Sequence, residues 1–286
     1  MKYISKINSL LVLLMFFSLS GFSQEISKKS VIVPLSKPGE PGKLYVEIHN
    51  GSIKVSGHDG KEVIVVSKTN ALEQQHSSNS EGEEKEKSKD NPPEGMRVVG
   101  NNAYALDIIE SDNKVKVDTD SHYSNIDLEI QVPKNFALYL ENHRNGNIEV
   151  DNIKGVEINA ESHYGSITLA NVNSPILADT HHGDIIVTFS DVNSENPSAF
   201  SSYNGNIDLT FPKKGNATIK TKSERGNIYT DMAVTVNDSD PKVITKSKNG
   251  TNYYSVEKWN YGKINSGGPE FSASTSKGNV YIRVQK

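Results

Sequence analysis

The chain has 286 residues, of which 23% are charged and 35% hydrophobic, with a formal net charge of −4 at pH 7. This low apolar fraction favours an elongated fold with a thin core, and the charge provides no basic cluster for nucleic acid. The sequence contains no cysteine, which excludes disulfides, cysteine nucleophiles, thiolate metal sites and a lipid-modified N-terminal cysteine.

Residues 1–23 have the pattern of a secretory signal peptide. Lys2 and Lys6 precede an apolar run from Leu10 to Phe17, and small residues follow. The run is shorter than the ~20 residues that a membrane span needs. We expect cleavage at the end of this segment, no transmembrane segment in the mature chain, and a protein that is periplasmic, surface-located or secreted. The alternative is an uncleaved N-terminal anchor.

The next residues alternate between apolar and polar side chains, which predicts strands. After an N-terminal segment at 24–42, Leu44, Val46 and Ile48 share one face of such a strand. Further strands are predicted at 31–33, 63–66, 97–99, 103–109 and 114–118. The segment at 73–95 is charged and poor in apolar residues, so we expect a mobile loop there, with a binding tail as the alternative.

A repeated phrase organises residues 43–286, which we interpret as one domain. A glycine is followed two residues later by Ile or Val, and five of these glycines are spaced 18 to 22 residues apart. The glycines assigned to repeat turns are Gly51, Gly146, Gly165, Gly183, Gly205, Gly226 and Gly278. Positions −7, −5, +2 and +4 from each glycine are predicted to point inward. Glycine suits such a turn because a positive φ costs it little.

This periodicity predicts an all-β fold. We expect a single-stranded β-solenoid, similar to a parallel β-helix, with coils of about 20 residues stacked at ~4.8 Å. Residues 250–269 depart from the repeat and are expected to form a longer excursion. A β-sandwich is the alternative, because it also consists of short strands separated by turn signals.

The repeat resembles a known protein family. The Gly-x-Ile spacing, the stretch from Val46 to Ile53 and the terminal stretch from Gly278 to Ile282 are similar to the putative-adhesin family of exported bacterial β-solenoid proteins. The resemblance covers residues 43–286 apart from the charged loop. It implies a β-solenoid of undefined biochemical role for which adhesion has been proposed, and it supplies no catalytic residues and no cofactor.

Histidines give the strongest functional signal. Five of them lie just before repeat turns, two with a tyrosine beside them. The candidate ligand-binding residues are His122, Tyr123, His143, His163, Tyr164, His181 and His182. Stacked coils would bring these residues to one face, where imidazoles could bind Zn²⁺ and aromatic rings could stack on sugars. The alternative is a solvated ladder of turn side chains, and whether the row binds metal is left open.

Two other chemistries are weighed against structural interpretations. Asn and Asp residues follow the repeat glycines and could bind Ca²⁺, but turn capping fits better because the calcium-binding nonapeptide repeat is absent. Glu149, Glu157, Asp184 and Asp208 are possible catalytic carboxylates. Their spacing singles out no acid–base pair.

The sequence therefore predicts a non-enzymatic exported envelope or surface protein that binds a cell-surface glycan or an envelope protein along one face. One alternative is a carbohydrate-active enzyme, either a polysaccharide lyase or a hydrolase. The other is a self-assembling structural protein whose end coils pair with copies of itself.

Overall fold

The computed structural model describes residues 26–70, 106–119, 125–192, 195–231, 235–238, 242–248, 251–257 and 259–286. These ranges contain 23 strands and no helix, which confirms the all-β prediction. The described residues therefore contain no helix that could cross a membrane. The predicted signal peptide at 1–23, the predicted loop at 73–95, the strand predicted at 97–99, and His122 and Tyr123 lie outside the described residues.

Two large sheets and one hairpin contain these strands. In spatial order the ten-stranded sheet consists of β1 (Ile26–Pro34), β4 (Glu62–Asn70), β7 (Ile126–Pro133), β3 (Ile53–His58), β9 (Ile148–Asp151), β11 (Ile167–Val172), β13 (Ile185–Phe189), β15 (Ile207–Phe211), β23 (Val280–Val284) and β17 (Ile228–Thr230). The eleven-stranded sheet consists of β18 (Thr235–Asp238), β21 (Asn260–Ile264), β16 (Ala217–Ser223), β22 (Glu270–Thr275), β14 (Ser198–Ser202), β12 (Ile176–Thr180), β10 (Ile158–Ser162), β8 (Ala137–Asn142), β2 (Lys43–Ile48), β6 (Lys114–Thr119) and β5 (Leu106–Ser111). Strands β19 (Lys242–Lys248) and β20 (Thr251–Glu257) form the hairpin.

The two large sheets pack around one apolar core. Inward positions of both sheets belong to a single cluster of buried side chains, among them Ile158 and Ala160 of β10 and Ile167 and Leu169 of β11. These are the −7, −5, +2 and +4 positions of the repeat unit around Gly165. Two layers around one core fit the β-sandwich alternative better than a single-stranded solenoid.

The strand order within each layer is nevertheless that of a repeating unit. From β8 to β15 the chain alternates between the sheets, and each strand pairs in parallel with the strand two places along. Equivalent residues are in register, so that Ile158 lies opposite Ile176 and Ile167 lies opposite Ile185. Each outward row therefore runs straight across a sheet at the ~4.8 Å strand spacing.

The spatial order of the units differs from their order in the chain. The β2–β3 unit lies between β6–β7 and β8–β9, and the C-terminal β22–β23 unit lies between β14–β15 and β16–β17. Backbone hydrogen bonds fix the first insertion: Gly51 N donates to Asn145 O at 2.9 Å, and Ile126 N donates to Asn50 O at 3.1 Å. The repeat phrase is the same in every unit, so it contains no information about this order.

Antiparallel strands extend the sheets at both ends. β4 and β1 continue the ten-stranded sheet beyond β7, and β5 pairs with β6. At the other end β21 and β18 extend the eleven-stranded sheet beyond β16. The predicted excursion at 250–269 contains β20 and β21, which pair antiparallel to their neighbours and so depart from the repeat.

The repeat glycines are required for a different reason from the one predicted. Of the seven, only Gly51 and Gly146 have a positive φ, at 112° and 129°. At the others the neighbouring turn leaves no room for a side chain. A Cβ on Gly183 would lie 2.2 Å from the carbonyl oxygen of Gly165, and a Cβ on Gly205 would lie 1.9 Å from that of Gly183. The expectation based on φ is therefore wrong for five of the seven turns, where close approach of backbones selects glycine.

Candidate functional site

A buried row of polar side chains anchors the turns next to the candidate site. Three residues before most repeat glycines stands a Ser or Thr whose hydroxyl donates to the carbonyl of the glycine in the adjacent unit. The bonds are Thr180 to Gly165 at 2.9 Å, Ser202 to Gly183 at 3.0 Å, Thr275 to Gly205 at 2.8 Å and Ser223 to Gly278 at 2.8 Å. These bonds hold the outward residues on either side in fixed positions.

Ser162 is the exception in this row. Its Oγ is the one buried side-chain polar atom without a partner among the described residues. Three residues lie between Asn142 and Gly146, one more than in the neighbouring units, and the Asn142 side-chain amide donates to the Gly146 carbonyl at 3.1 Å. Asn142 therefore occupies the acceptor that Ser162 would use by analogy with Thr180.

The residue that precedes each of these buried positions in the chain points outward, and it is acidic on five adjacent strands. Glu47, Glu141, Glu161 and Asp179 lie in register on β2, β8, β10 and β12, and Asp118 on β6 continues the row. Like charges directly opposite one another destabilise a sheet. A cation or a protonated partner beside the row would relieve this repulsion, so we call these five residues the acid row.

A row of imidazoles lies two residues further along the chain, at the first position after β2, β8, β10 and β12. It comprises His49, His143, His163 and His181, and Tyr203 continues it. Ring centroids are 5.0 Å apart for His49 and His143, 5.2 Å for His163 and His181, and 4.8 Å for His181 and Tyr203. We call these residues the histidine row, and together with the acid row they form the acid–histidine face.

The structure thus brings together three of the predicted histidines and places two further residues beside them. His143, His163 and His181 line one open cavity of about 150 Å³ with Glu141, Glu161 and Asp179. Tyr164 and His182 form a neighbouring row, with their rings stacked at 5.2 Å and an interplanar angle of 4°.

Sequence reasoning missed the acid row and His49, although a signal was present. Glu47-Ile48-His49, Glu141-Asn142-His143, Glu161-Ser162-His163 and Asp179-Thr180-His181 all follow the pattern of an acidic residue, one intervening residue and histidine. Because side chains two apart in a strand share a face, this pattern predicts paired acid and histidine rows.

Ring stacking bears on the predicted role of the aromatic residues. Tyr45 and Tyr139 stack at 4.6 Å with an interplanar angle of 8°, and His181 and Tyr203 stack at 4.8 Å with an angle of 5°. Lys277 Nζ lies 4.9 Å from the Tyr203 ring centroid. One face of each of these rings is therefore covered by a neighbour, although Tyr203 remains 46% exposed.

Electrostatic effects are visible at His182 and Tyr139. Burial, followed by the charges of His181, His163 and Lys277, lowers the pKa of His182. A hydrogen bond to Glu157 raises the pKa of the Tyr139 phenol, while Lys43 acts in the opposite direction. A lowered pKa keeps the His182 imidazole neutral at neutral pH, which is the form that binds metals.

One group on this face has the composition of a metal site. Ligand atoms of Glu47, Glu141 and His143 all lie within 4.8 Å of one another. The Asn and Asp residues after the glycines, by contrast, are engaged in turn capping, as predicted. Asp184 Oδ1 accepts from Asn206 N at 2.7 Å, and Asn206 Oδ1 accepts from Asn279 N at 2.9 Å.

Two solved structures are similar to this chain. A putative cell adhesion protein from Clostridium sporogenes is 12% identical, with a TM-score of 0.49 over 91% of this chain and 100% of that one. A putative adhesin from Bacteroides fragilis is also 12% identical, with a TM-score of 0.36 over 92% and 98%. No family model and no curated protein matches the chain. At this identity and these TM-scores the two likenesses carry no conclusion about what this chain binds, and the resemblance to the putative-adhesin family stays an inference from the repeat phrases.

Proposed function

We propose that the chain is a non-enzymatic, adhesin-like protein of the cell envelope or cell surface, and that the acid–histidine face is its binding surface. The observation that carries the proposal is the recurrence of the same acid and histidine pair on four adjacent strands. This arrangement keeps acidic side chains next to one another despite their repulsion. Such a cost is tolerated in binding sites, where a partner supplies the compensating charge.

A protein partner with basic side chains suits this surface better than a neutral glycan. The acid row offers an extended series of carboxylates, which attract and orient lysine and arginine. Histidine and tyrosine beside it add contact area. Sugar recognition depends on open aromatic faces, and one face of Tyr164 and one of Tyr203 are already stacked against His182 and His181.

An enzymatic role has less support. A carbohydrate-active enzyme needs a general acid with a raised pKa in a cleft. The candidate carboxylates are instead bonded separately: Glu149 pairs with Lys54, Asp208 pairs with Arg283, and Asp184 accepts a hydrogen bond from Asn206. The acid row lies on the outer face of a sheet, beside the open cavity of about 150 Å³ that it shares with the histidine row.

Export and the coil interpretation belong to the same proposal. The signal-peptide pattern at 1–23 supports export to the periplasm, the cell surface or the medium. In-register parallel pairing of units about 20 residues long supports stacked two-strand coils. Near each end of the stack, the spatial order of the coils differs from their order in the chain. A stack of this kind would present the acid–histidine face as a long, flat strip.

Binding to intact cells tests the proposal. We would compare the unchanged protein with a variant in which His49, His143, His163 and His181 are all replaced by Asn, using cells before and after protease treatment and a glycan array in parallel. The unchanged protein should bind in a protease-sensitive manner, and the variant should bind at least about tenfold more weakly because it lacks the histidine row.

The matched control changes the outer face of the other sheet. Lys54 and Glu149 form a 3.4 Å ion pair there, and replacing both by Gln should leave binding unchanged. Equal binding by the histidine variant and the unchanged protein would reject the acid–histidine face as the binding surface. Protease-resistant binding together with signals on the glycan array would replace the protein partner by a glycan.

A further inference from the structure

We propose that Glu47, Glu141 and His143 form a binding site for a divalent transition-metal ion of the zinc type. The three side chains lie near one end of the acid–histidine face: Glu47 is on β2, Glu141 is on β8, and His143 directly follows β8. The inference rests on the positions and donor atoms of these residues and does not depend on the partner proposed above. The proposal assigns a metal ion, in addition to any protein partner, to this part of the face.

The sheet supplies the two carboxylates, and the turn directly after β8 (Ala137–Asn142) supplies the imidazole. Glu47 lies opposite Glu141 in the parallel pairing of β2 with β8. His143 follows Glu141 by two residues, so it lies on the same outer face, and its backbone N donates to Ile48 O at 3.0 Å. Backbone hydrogen bonds therefore fix the distance between the strands that supply the carboxylates and the imidazole.

The contacts of the imidazole indicate that a cation belongs here. His143 Nε2 lies 3.0 Å from Glu47 Oε1, and its Nδ1 lies 3.3 Å from Glu141 Oε1. A neutral imidazole has one N–H and one lone pair, whereas a carboxylate only accepts. With a neutral ring, one of the two contacts therefore sets a lone pair against a carboxylate oxygen, and either a second ring proton or a metal ion relieves that repulsion. A metal ion bound to that nitrogen and that oxygen turns the repulsive contact into two coordination bonds.

The separation of the atoms matches zinc coordination. Zinc binds nitrogen and oxygen at about 2.0–2.2 Å in tetrahedral geometry, so two such ligand atoms lie roughly 3.3–3.5 Å apart. The 3.3 Å distance from Nδ1 to Glu141 Oε1 already has this value. Glu47 contacts the other ring nitrogen, but its carboxylate lies within 4.8 Å of the other two ligand atoms and would turn to complete a set of three. The His49 ring, centred 5.0 Å from that of His143, offers a second imidazole beside the three ligands.

The donor types select among cations. Imidazole favours zinc, cobalt, nickel and copper, whereas calcium and magnesium prefer oxygen ligands alone. Two carboxylates neutralise a divalent ion, so binding would also remove the repulsion between Glu47 and Glu141. Calcium is therefore the natural comparison ion in a test.

Zinc titration of the purified chain, without a polyhistidine tag and after treatment with a chelator, tests the site. We expect the first equivalent of Zn²⁺ to shift the ring ¹⁵N and ¹H NMR signals of His143, and Co²⁺ to give the visible absorption of a tetrahedral complex. Glu47→Gln, Glu141→Gln and His143→Asn should each weaken this first binding event at least about tenfold, because each removes a ligand.

Glu149→Gln is the matched control, since it removes one carboxylate from the outer face of the other sheet and should leave zinc affinity unchanged. Circular dichroism and thermal unfolding without metal would show that each variant is folded. Zinc affinity that is unchanged in all three ligand variants, or tighter binding of Ca²⁺ than of Zn²⁺, would overturn the site. Partner binding to intact cells in the presence of chelator is a separate measurement, so the failure of one proposal can be distinguished from the failure of the other.

Discussion

The inward and outward residues at the end of a single strand behave very differently. Thr180 points inward, and its hydroxyl donates a hydrogen bond to the Gly165 carbonyl inside the protein. Its neighbours Asp179 and His181 point outward into rows of like residues. In the inner row, which is the buried row of Ser and Thr hydroxyls, all hydroxyls except that of Ser162 donate to a backbone carbonyl. The outer rows, which are the acid row and the histidine row, place like charges and imidazoles side by side.

This difference separates residues that fix the fold from residues available for binding. Buried hydroxyls and glycines set the approach of one unit to the next, and their partners are backbone atoms that every unit possesses. On the acid–histidine face the partners are other exposed side chains, as in the contacts of His143 with Glu47 and Glu141. Substitutions in the inner row should therefore change stability, and substitutions in the outer rows should change binding and pH dependence.

The largest effect is expected from adding a methyl group between two turns. In Gly183→Ala the new Cβ would lie 2.2 Å from the Gly165 carbonyl oxygen, so the backbones must move apart. We expect a loss of about 3 kcal/mol or more in the free energy of unfolding. Chemical denaturation measures it.

Gly39→Ala is the control for this change. Gly39 has a φ of 93°, but a Cβ there would meet no atom within 4 Å. The cost should be only the roughly 1–2 kcal/mol of a left-handed backbone. Equal losses in the two variants would show that backbone conformation, and not close approach, selects glycine at the turns.

The next effect distinguishes two serines of the same buried row. Ser202→Ala removes the hydroxyl that donates to Gly183 O at 3.0 Å and leaves a buried carbonyl with one bond fewer, which should cost about 1–2 kcal/mol. Ser162→Ala removes a hydroxyl without a partner and should be neutral or stabilising. Denaturation of both variants measures the difference, and a similar loss in both would contradict the unequal bonding of the two hydroxyls.

Part of the fold, but not the order of its units, could be predicted from the sequence. The period-two pattern and the Gly-x-Ile phrase predicted strands and inward positions such as Ile167 and Leu169, which are buried. They could not predict that the Gly51 unit lies between the Ile126 and Gly146 units. That order depends on contacts between distant parts of the chain, which a local pattern does not record.

The candidate site was only half predicted for a related reason. Histidines before the glycines were recognised because the glycine gave a reference position. The acidic residue two positions earlier looks like any exposed strand residue until neighbouring strands are aligned. The segment before Gly146 is one residue longer than the segments before Gly165 and Gly183. Glu141 therefore aligns with Glu161 and Asp179 only when this extra residue is taken into account, and the strand register in the structure establishes that alignment.

A smaller effect should come from the acid row itself. Glu161 lies between Glu141 and Asp179 in the sheet, so Glu161→Gln removes repulsion on both sides. We expect a gain of a few tenths of a kcal/mol in the free energy of unfolding at low ionic strength. The gain should shrink in high salt, which screens exposed charges.

Glu149→Gln provides the comparison for Glu161→Gln. Glu149 is paired with Lys54 at 3.4 Å, so its neutralisation should give no gain at either salt concentration. Thermal unfolding at two salt concentrations measures both variants. A gain in Glu149→Gln equal to that in Glu161→Gln would contradict repulsion within the acid row.

The smallest effect concerns pH, and its sign follows from the lowered pKa of His182. Above the ordinary histidine pKa of about 6.5 the residue is neutral in the folded and the unfolded chain. As the pH falls below that value the unfolded chain binds the proton first, so stability decreases until the folded chain is protonated as well. His182→Gln removes this contribution, and its midpoint of thermal unfolding should therefore fall less between pH 7 and pH 5 than that of the unchanged protein. A steeper fall in the variant would mean that His182 is stabilised, and not destabilised, in its charged form by the rows around it.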